Sequence, residues 1–199
     1  HPGLAAVTRR IARPHPRAVA KSALLVILGT NPVNTQVNVM THATRARKER
    51  GAKIVAVDVY MNGSMEQADL AVMVKPGTDG ALACAVMHCL FRDGKADWDY
   101  LEKYTDVPRE LEAHVRSRDP QWASTITGCP VETIEEFARL VGATKRAYFR
   151  LGYGFSRSRK GPVNRPSASC MPAITGAALH VGRAAYHKHP RTPPVEKST

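Results

Sequence analysis

The chain has 199 residues, 43% hydrophobic and 23% charged, enough for one domain with a sizeable core. No apolar run approaches the ~20 residues that a bilayer span needs, and four cysteines without a C-x-x-C pair offer no recognisable ligand set for an iron–sulfur cluster. The formal charge of +12 is uneven: residues 1–22 carry +5 (five basic, none acidic), 23–144 carry −3 (13 basic, 16 acidic) and 145–199 carry +10 (11 basic, one acidic).

Residues 1–22 are rich in Arg and Pro and predict a poorly ordered basic tail. Ser22 to Leu28 is a continuous apolar run, the pattern of a strand covered on both faces. Gly29-Thr30-Asn31-Pro32 follows it. Gly29 permits a tight turn and close approach to the backbone, Asn31 suits a helix cap, and Pro32 suits the first helical position. The pattern predicts a helix to about Arg50, with Val33, Val37 and Met40 on one face, basic residues near its end and Gly51 as the stop. The N-terminus of that helix would favour a phosphate, although an ordinary strand-to-helix turn has the same local pattern.

Lys53 to Val57 reads as a second buried strand ending in Asp58, where an acidic residue can accept hydrogen bonds from ribose hydroxyls. Leu70 to Val74 is a third, followed by Lys75-Pro76-Gly77-Thr78-Asp79-Gly80 and a helix to about Phe91. Asp79 falls in its first turn, where a carboxylate suits the helix dipole. Its two oxygens can also accept from the N1–H and exocyclic amine of guanine. Cys84 and Cys89 read as buried small apolar residues on that helix.

Residues 97–104 and 107–118 are short amphipathic patterns, with Trp98, Tyr104 and Trp122 as packing anchors. Gly128 to Val141 predicts a helix opened by Pro130 and closed by Gly142, and Ala147 to Leu151 a fourth strand leading into the Gly152-x-Gly154 turn. The runs at 23–28, 54–57, 70–74 and 147–151 should therefore lie side by side as parallel strands of an α/β sheet, joined by long crossovers. Arg157, Arg159, Lys160 and Arg165 then form a basic stretch suited either to a pyrophosphate or partner-domain carboxylates, or to a solvated loop. Residues 181–199 read as a second basic tail, Pro-rich at its end, in which His187 and His189 are too few to make a metal site.

Leu28-Gly29-Thr30-Asn31-Pro32, Val57-Asp58, Ala68-Asp69-Leu70, Lys75 to Leu82, Thr127 to Glu135 and Arg150 to Arg157 together resemble the cofactor-binding segment of the molybdopterin oxidoreductases, the dimethyl sulfoxide reductase and formate dehydrogenase group. The likeness covers roughly residues 23–180. It implies a Rossmann-like parallel sheet with flanking helices that binds the guanosine end of one molybdopterin guanine dinucleotide. Gly29, Thr30 and Asn31 would then meet the phosphates, Asp58 the ribose, and Thr78 and Asp79 the guanine side, with Pro76, Gly77, Gly152 and Gly154 also among the cofactor-binding residues. Two positions depart from the pattern: Leu28 stands where the family commonly has Trp, and Asp58-Val59-Tyr60 where it has Asp-Pro-Arg.

Members of that family are longer, with an iron–sulfur segment, a ligand for molybdenum or tungsten and a closing C-terminal domain, none of which is recognisable here. The expectation is a fragment or truncated member, with 1–22 and 181–199 as tails around a 23–180 cofactor domain. A stand-alone nucleotide-binding module without redox activity and a non-functional truncation product are the alternatives. Expected partners are a nucleotide-type cofactor and either the remaining domains of a parent enzyme or further copies of the chain. Basic flanks would give salt-sensitive affinity for nucleic acid, but there is no helix-turn-helix or zinc-finger pattern and aromatic residues are only 6%, which argues against it. Scattered cysteines suggest reduced thiols and a cytoplasmic setting, with the periplasm left open; His1 suggests numbering that begins inside a longer precursor.

Overall fold

A computed structural model describes residues 16–154, 161–177 and 184–187. Five parallel strands, β1 (Leu24–Leu28), β2 (Lys53–Asp58), β3 (Leu70–Met73), β4 (Ala147–Leu151) and β5 (Ala184–His187), form one sheet in the order β3-β2-β1-β4-β5. The four expected runs are all strands and all parallel. Every residue of β1 and β4 is buried, because strands in the middle of a parallel sheet are covered on both faces.

The expected boundaries need correction at both ends. β5 lies inside the stretch read as a tail and pairs with β4 from Tyr148↔Ala184 to Leu151↔His187. A 3₁₀ turn at Pro16–Lys21 lies inside the other, and its Val19 is fully buried. Basic composition averaged over a segment hides a short apolar stretch such as Ala18-Val19-Ala20 that can still dock.

Nine helices are described: α1 (Pro32–Thr35), α2 (Val37–Arg50), α3 (Gly63–Glu66), α4 (Asp79–Arg92), α5 (Trp98–Tyr104), α6 (Pro108–Val115), α7 (Pro120–Thr127), α8 (Val131–Ala143) and α9 (Gly161–Ile174). Alternation along the strands sorts them into two layers. Leu24, Val26, Leu28, Phe149 and Leu151 share a cluster with Leu82 and Val86 of α4, Phe137 of α8 and Met171 of α9. Leu25, Ile27, Ile54 and Tyr148 share the other with Val19, Met40 and Ala43 of α2 and Met65 of α3.

Several helical expectations are also corrected. The long helix from Pro32 is broken at Gln36, and Val37, expected on its apolar face, is 61% exposed. The helix α7 was not predicted, although Asp119 caps it by accepting from Trp122 N at 2.7 Å and Pro120 occupies its first turn. Gly142 lies within α8, which runs on to Ala143 and is followed by Thr144 as its C-cap. Trp98 and Trp122 do pack against the core, but Tyr104 is exposed.

The break at Gln36 has a physical cause in β4. Arg150 is 1% exposed in that strand, and a guanidinium removed from water must find acceptors. Its Nε donates to Gln36 Oε1 at 2.9 Å, its Nη2 to the same oxygen, and its Nη1 to Leu151 O at 3.2 Å. Gln36, at φ −147° and ψ 56°, is the non-helical joint that carries this acceptor. A second pin is Asp69, which accepts from Ile54 N at 2.8 Å, Arg47 Nη2 at 2.7 Å and Lys53 Nζ at 3.4 Å. Partial burial opposes its ionisation, yet these donors hold the carboxyl below its ordinary value and tie α2 to β2 and β3.

Strand register decides what meets at the carboxyl edge. Leu28 pairs with Val57 on one side and Leu151 on the other, so Gly29, Asp58 and Gly152 come level, and Asp58 pairs with Met73. Gly152 N donates to Leu28 O at 2.8 Å, and a Cβ on Gly152 would lie 2.2 Å from Gly29 O. One on Gly154 would lie 2.9 Å from the same oxygen. Gly152→Ala is therefore expected to cost about 3 kcal/mol, roughly a 10 °C fall in Tm, and Gly154→Ala distinctly less. Thermal unfolding of the two variants would check this, and equal losses would contradict it.

Candidate functional site

The site residues named from sequence lie in loops at the carboxyl ends of β1, β2, β3 and β4. In an open parallel sheet of this order the direction in which successive strands are added reverses between β1 and β4, and ligands in such sheets lie outside the strand ends at that point.

The loop after β1 differs from its expected form. Gly29 adopts φ 59°, its N–H donates to Val57 O at 2.9 Å, and its carbonyl accepts from Gly154 N at 3.1 Å. With Gly152 N on Leu28 O, all three glycine amides are engaged: that of Gly29 with β2, that of Gly152 with the end of β1, and that of Gly154 with the first loop. Asn31 does not cap α1 through its side chain. Its Oδ1 accepts from Ser64 Oγ at 2.7 Å, and Val33 N donates to Ser64 Oγ at 3.1 Å. Because α1 is a single turn of four residues, the long-helix dipole anticipated behind this loop is not built here.

Ser64 leads to the second loop. It is fully buried, and its N–H and that of Met65 donate to Asn62 Oδ1 at 3.0 and 3.2 Å, capping α3. Asn62 Nδ2 in turn donates to Asp58 Oδ2 at 2.9 Å, while Val59 N donates to Asp58 Oδ1 at 2.8 Å. A continuous chain of polar contacts thus runs from Asp58 through Asn62 and Ser64 to Asn31, binding the first two loops together. Burial pushes the Asp58 carboxyl above its ordinary value, partly offset by these two donors.

In the third loop, Thr78 N and Oγ1 donate to Lys75 O at 3.2 and 2.7 Å, closing a turn over Pro76 and Gly77. Asp79 then opens α4 and is only 6% exposed. Burial raises its carboxyl to about 6; its own backbone N–H lowers it, and the like charge of Asp58 raises it again. Asn164 of α9 donates from Nδ2 to Asp79 Oδ2 at 3.3 Å. A carboxylate in this state accepts hydrogen bonds when ionised and can donate one when protonated.

Sequence reasoning brought Gly29, Thr30, Asn31, Asp58, Pro76, Gly77, Thr78, Asp79, Gly152 and Gly154 to one edge, and the structure has them there. It missed Asn62, Ser64 and Asn164. Asn62 carried a usable signal, a capping residue just before a new helix; Asn164 carried none, because its partners lie some 85 residues away in sequence. Arg157, Arg159, Lys160 and His189 lie outside the described residues, as do the side chains of Arg165 and His187.

Among the described residues no group of three or more His, Cys, Asp or Glu could hold a metal ion. The four cysteines are unpaired, and burial pushes Cys89, Cys129 and Cys170 up to about 11, leaving them protonated. No described helix is long and apolar enough to cross a membrane. Clefts of about 650 and 600 Å³ lie along α2 and beside the loop after α4, and neither is lined by Asp58 or Asp79.

Residues 7–187 match the family model described as molybdopterin oxidoreductase. The chain is 40% identical over 174 residues to a protein called probable oxidoreductase YoaE of Bacillus subtilis, covering 87% of this chain and 25% of that one. It is 29% identical over 186 residues to the probable dimethyl sulfoxide reductase chain YnfF of Escherichia coli (81% and 23% covered). It is also 29% identical over 152 residues to the alpha subunit of an F420-dependent formate dehydrogenase of Methanococcus maripaludis (76% and 22%). The acetylene hydratase of Pelobacter acetylenicus has the same fold over 85% of this chain and 25% of its own, with a TM-score of 0.70 at 17% identity. The chain spans about a quarter of the length of the relatives it matches.

The raised Asp79 fixes a pH dependence. Because its folded-state value lies above the ordinary 3.8, ionisation costs the folded state more than the unfolded chain, so this contribution to stability is lost as pH rises from about 4 through about 6. Asp79→Asn keeps an oxygen for Asn164 and removes the charge. It should stabilise the chain by about 3 kcal/mol at pH 8 and by nothing near pH 4, as read from urea unfolding. A gain that is equal at the two pH values would contradict the cause.

Proposed function

This chain belongs to the molybdopterin oxidoreductase family, and we propose that it binds the guanosine-phosphate end of molybdopterin guanine dinucleotide within a larger enzyme. The observation that carries this reading is Asp79: a carboxyl group 6% exposed at the ligand-bearing edge of the sheet, beside Asp58. Among the described residues no cationic side chain pairs with it, and burying a carboxyl group in that way is costly for a fold that has no use for it. A guanine edge supplies the missing donors through its N1–H and exocyclic amine.

Other residues take complementary parts. Thr30 and the backbone around Asn31 meet the phosphates, while Gly29, Gly152 and Gly154 act by holding the loop in shape, since their amides are already bonded to Val57, Leu28 and Gly29 carbonyls. Asp58 accepts from ribose hydroxyls and is steadied by Asn62. Pro76, Gly77 and Thr78 form the turn that presents Asp79. Val59, Tyr60, Met61 and Met73, 40–57% exposed, give an apolar rim on the same edge against which a base can pack. The pterin end of the cofactor, with molybdenum or tungsten, supplies the redox chemistry when bound, and this chain contributes position and electrostatics. The parts of the enzyme that complete the site are the partners this reading implies.

Calorimetric titration of the chain with GDP and ADP tests it. GDP should bind at least about tenfold more tightly, equivalent to ~1.4 kcal/mol, and Asp79→Asn should narrow the gap by exchanging an acceptor for donors. Equal affinity for GDP and ADP in the unmodified chain would overturn the assignment.

A further inference from the structure

Asn164 is 3% exposed on α9, and its single amide group meets three residues of the third loop. Nδ2 donates to Gly77 O at 3.4 Å and to Asp79 Oδ2 at 3.3 Å, and Oδ1 accepts from Gly80 N at 3.2 Å. Each contact is long and weak alone; together they fix the loop, because an amide offers donors and an acceptor in one plane. Aspartate has the same shape and no donor when ionised, and alanine has neither group. The loop is shaped to receive this side chain, since a Cβ on Gly80 would lie 2.7 Å from Asn164 Oδ1.

We infer that Asn164 is a positioning residue for base recognition: it reaches from α9 to hold the Asp79 carboxylate and the turn before it in the orientation that meets the guanine edge. The inference rests on the reading of Asp79 given above. Its physical content is separable from that reading. A donor on Oδ2 favours the ionised carboxylate, against both burial and the Asp58 carboxylate across the edge, and it restricts rotation of the carboxylate plane. Without Asn164 the same carboxyl group would hold its proton to higher pH and present its two oxygens in many orientations.

The test uses the full chain and the variants Asn164→Ala, Asn164→Asp and Gly80→Ala. The third displaces Asn164 while leaving both it and Asp79 chemically intact, so the question stays answerable if substitution of Asn164 prevents folding. Two readouts are taken: calorimetric affinity for GDP and ADP, and the titration midpoint of the Asp79 carboxyl carbon by ¹³C NMR without ligand. Each folded variant should lose at least about tenfold of the GDP preference and raise the Asp79 midpoint, most of all Asn164→Asp, where two carboxyl groups would share a proton. A GDP preference kept within twofold together with an unmoved midpoint would overturn the inference and leave Asn164 as packing. A raised midpoint in a chain that binds GDP and ADP alike would overturn base recognition while keeping Asn164 as the holder of Asp79.

Discussion

Gly152 lies against the carbonyl of Gly29 with no room for a side-chain carbon between them, and the carboxyl edge of the sheet is organised around that contact. It exists because β1 and β4 run in register to their last residues, Leu28 beside Leu151, so both chains leave the sheet at the same level and turn in the same space. Only a backbone can pass at that distance. The amides that might otherwise have faced an anion are used to join the loops, which makes the first loop a rigid wall. In the proposed function, recognition falls to the loops after β2 and β3.

Those loops are held by polar side chains rather than by apolar packing. Asp58, Asn62, Ser64 and Asn31 form one connected run of hydrogen bonds, and Asn164 ties the loop of Asp79 to α9. Such networks specify a single arrangement because each member lost leaves a buried neighbour unsatisfied. The same logic governs Arg150, whose guanidinium forces a joint between α1 and α2. That joint shortens the helix behind the first loop to one turn and exposes Val37. A buried charge in β4 thus changes the shape of a loop on β1.

The two acids at the edge have different standings. Asp58 is partly open to water, and two donors oppose the rise that burial causes; Asp79 is enclosed and lies in the field of Asp58. Two carboxyl groups raised above their ordinary value at one edge of the sheet are an arrangement that structural stability alone does not favour. The cysteines make the opposite case. Buried or half-buried, with raised thiols and no disulfide, they act as small apolar residues, in keeping with their scatter along the chain.

Much of this architecture was legible without coordinates, for a local reason. Leu24 to Leu28 and Ile54 to Val57 are short unbroken apolar runs, and Ala147 to Leu151 is a run interrupted only by Arg150, the near-continuous pattern of strands buried on both faces. Whatever follows such a run stands at the sheet edge, so Gly29, Asp58, Asp79 and Gly152 could be assigned to one side of the molecule from their positions alone. The resemblance of those same loops to molybdopterin enzymes reached the family by the same path. What stayed hidden depends on contacts between residues far apart in the chain. Gln36 breaks a helix for an arginine 114 residues away, and Asn164 meets Gly80 across 84. Neither residue has a local pattern that marks it, and β5 and Val19 sit in segments whose basic composition masks a docking stretch. Sequence by itself determined which residues reach the edge, because period and punctuation are local. Only the tertiary structure decided which amides are already engaged and how deeply Asp79 is buried, because hydrogen bonding and desolvation are set by whatever else folds against a residue.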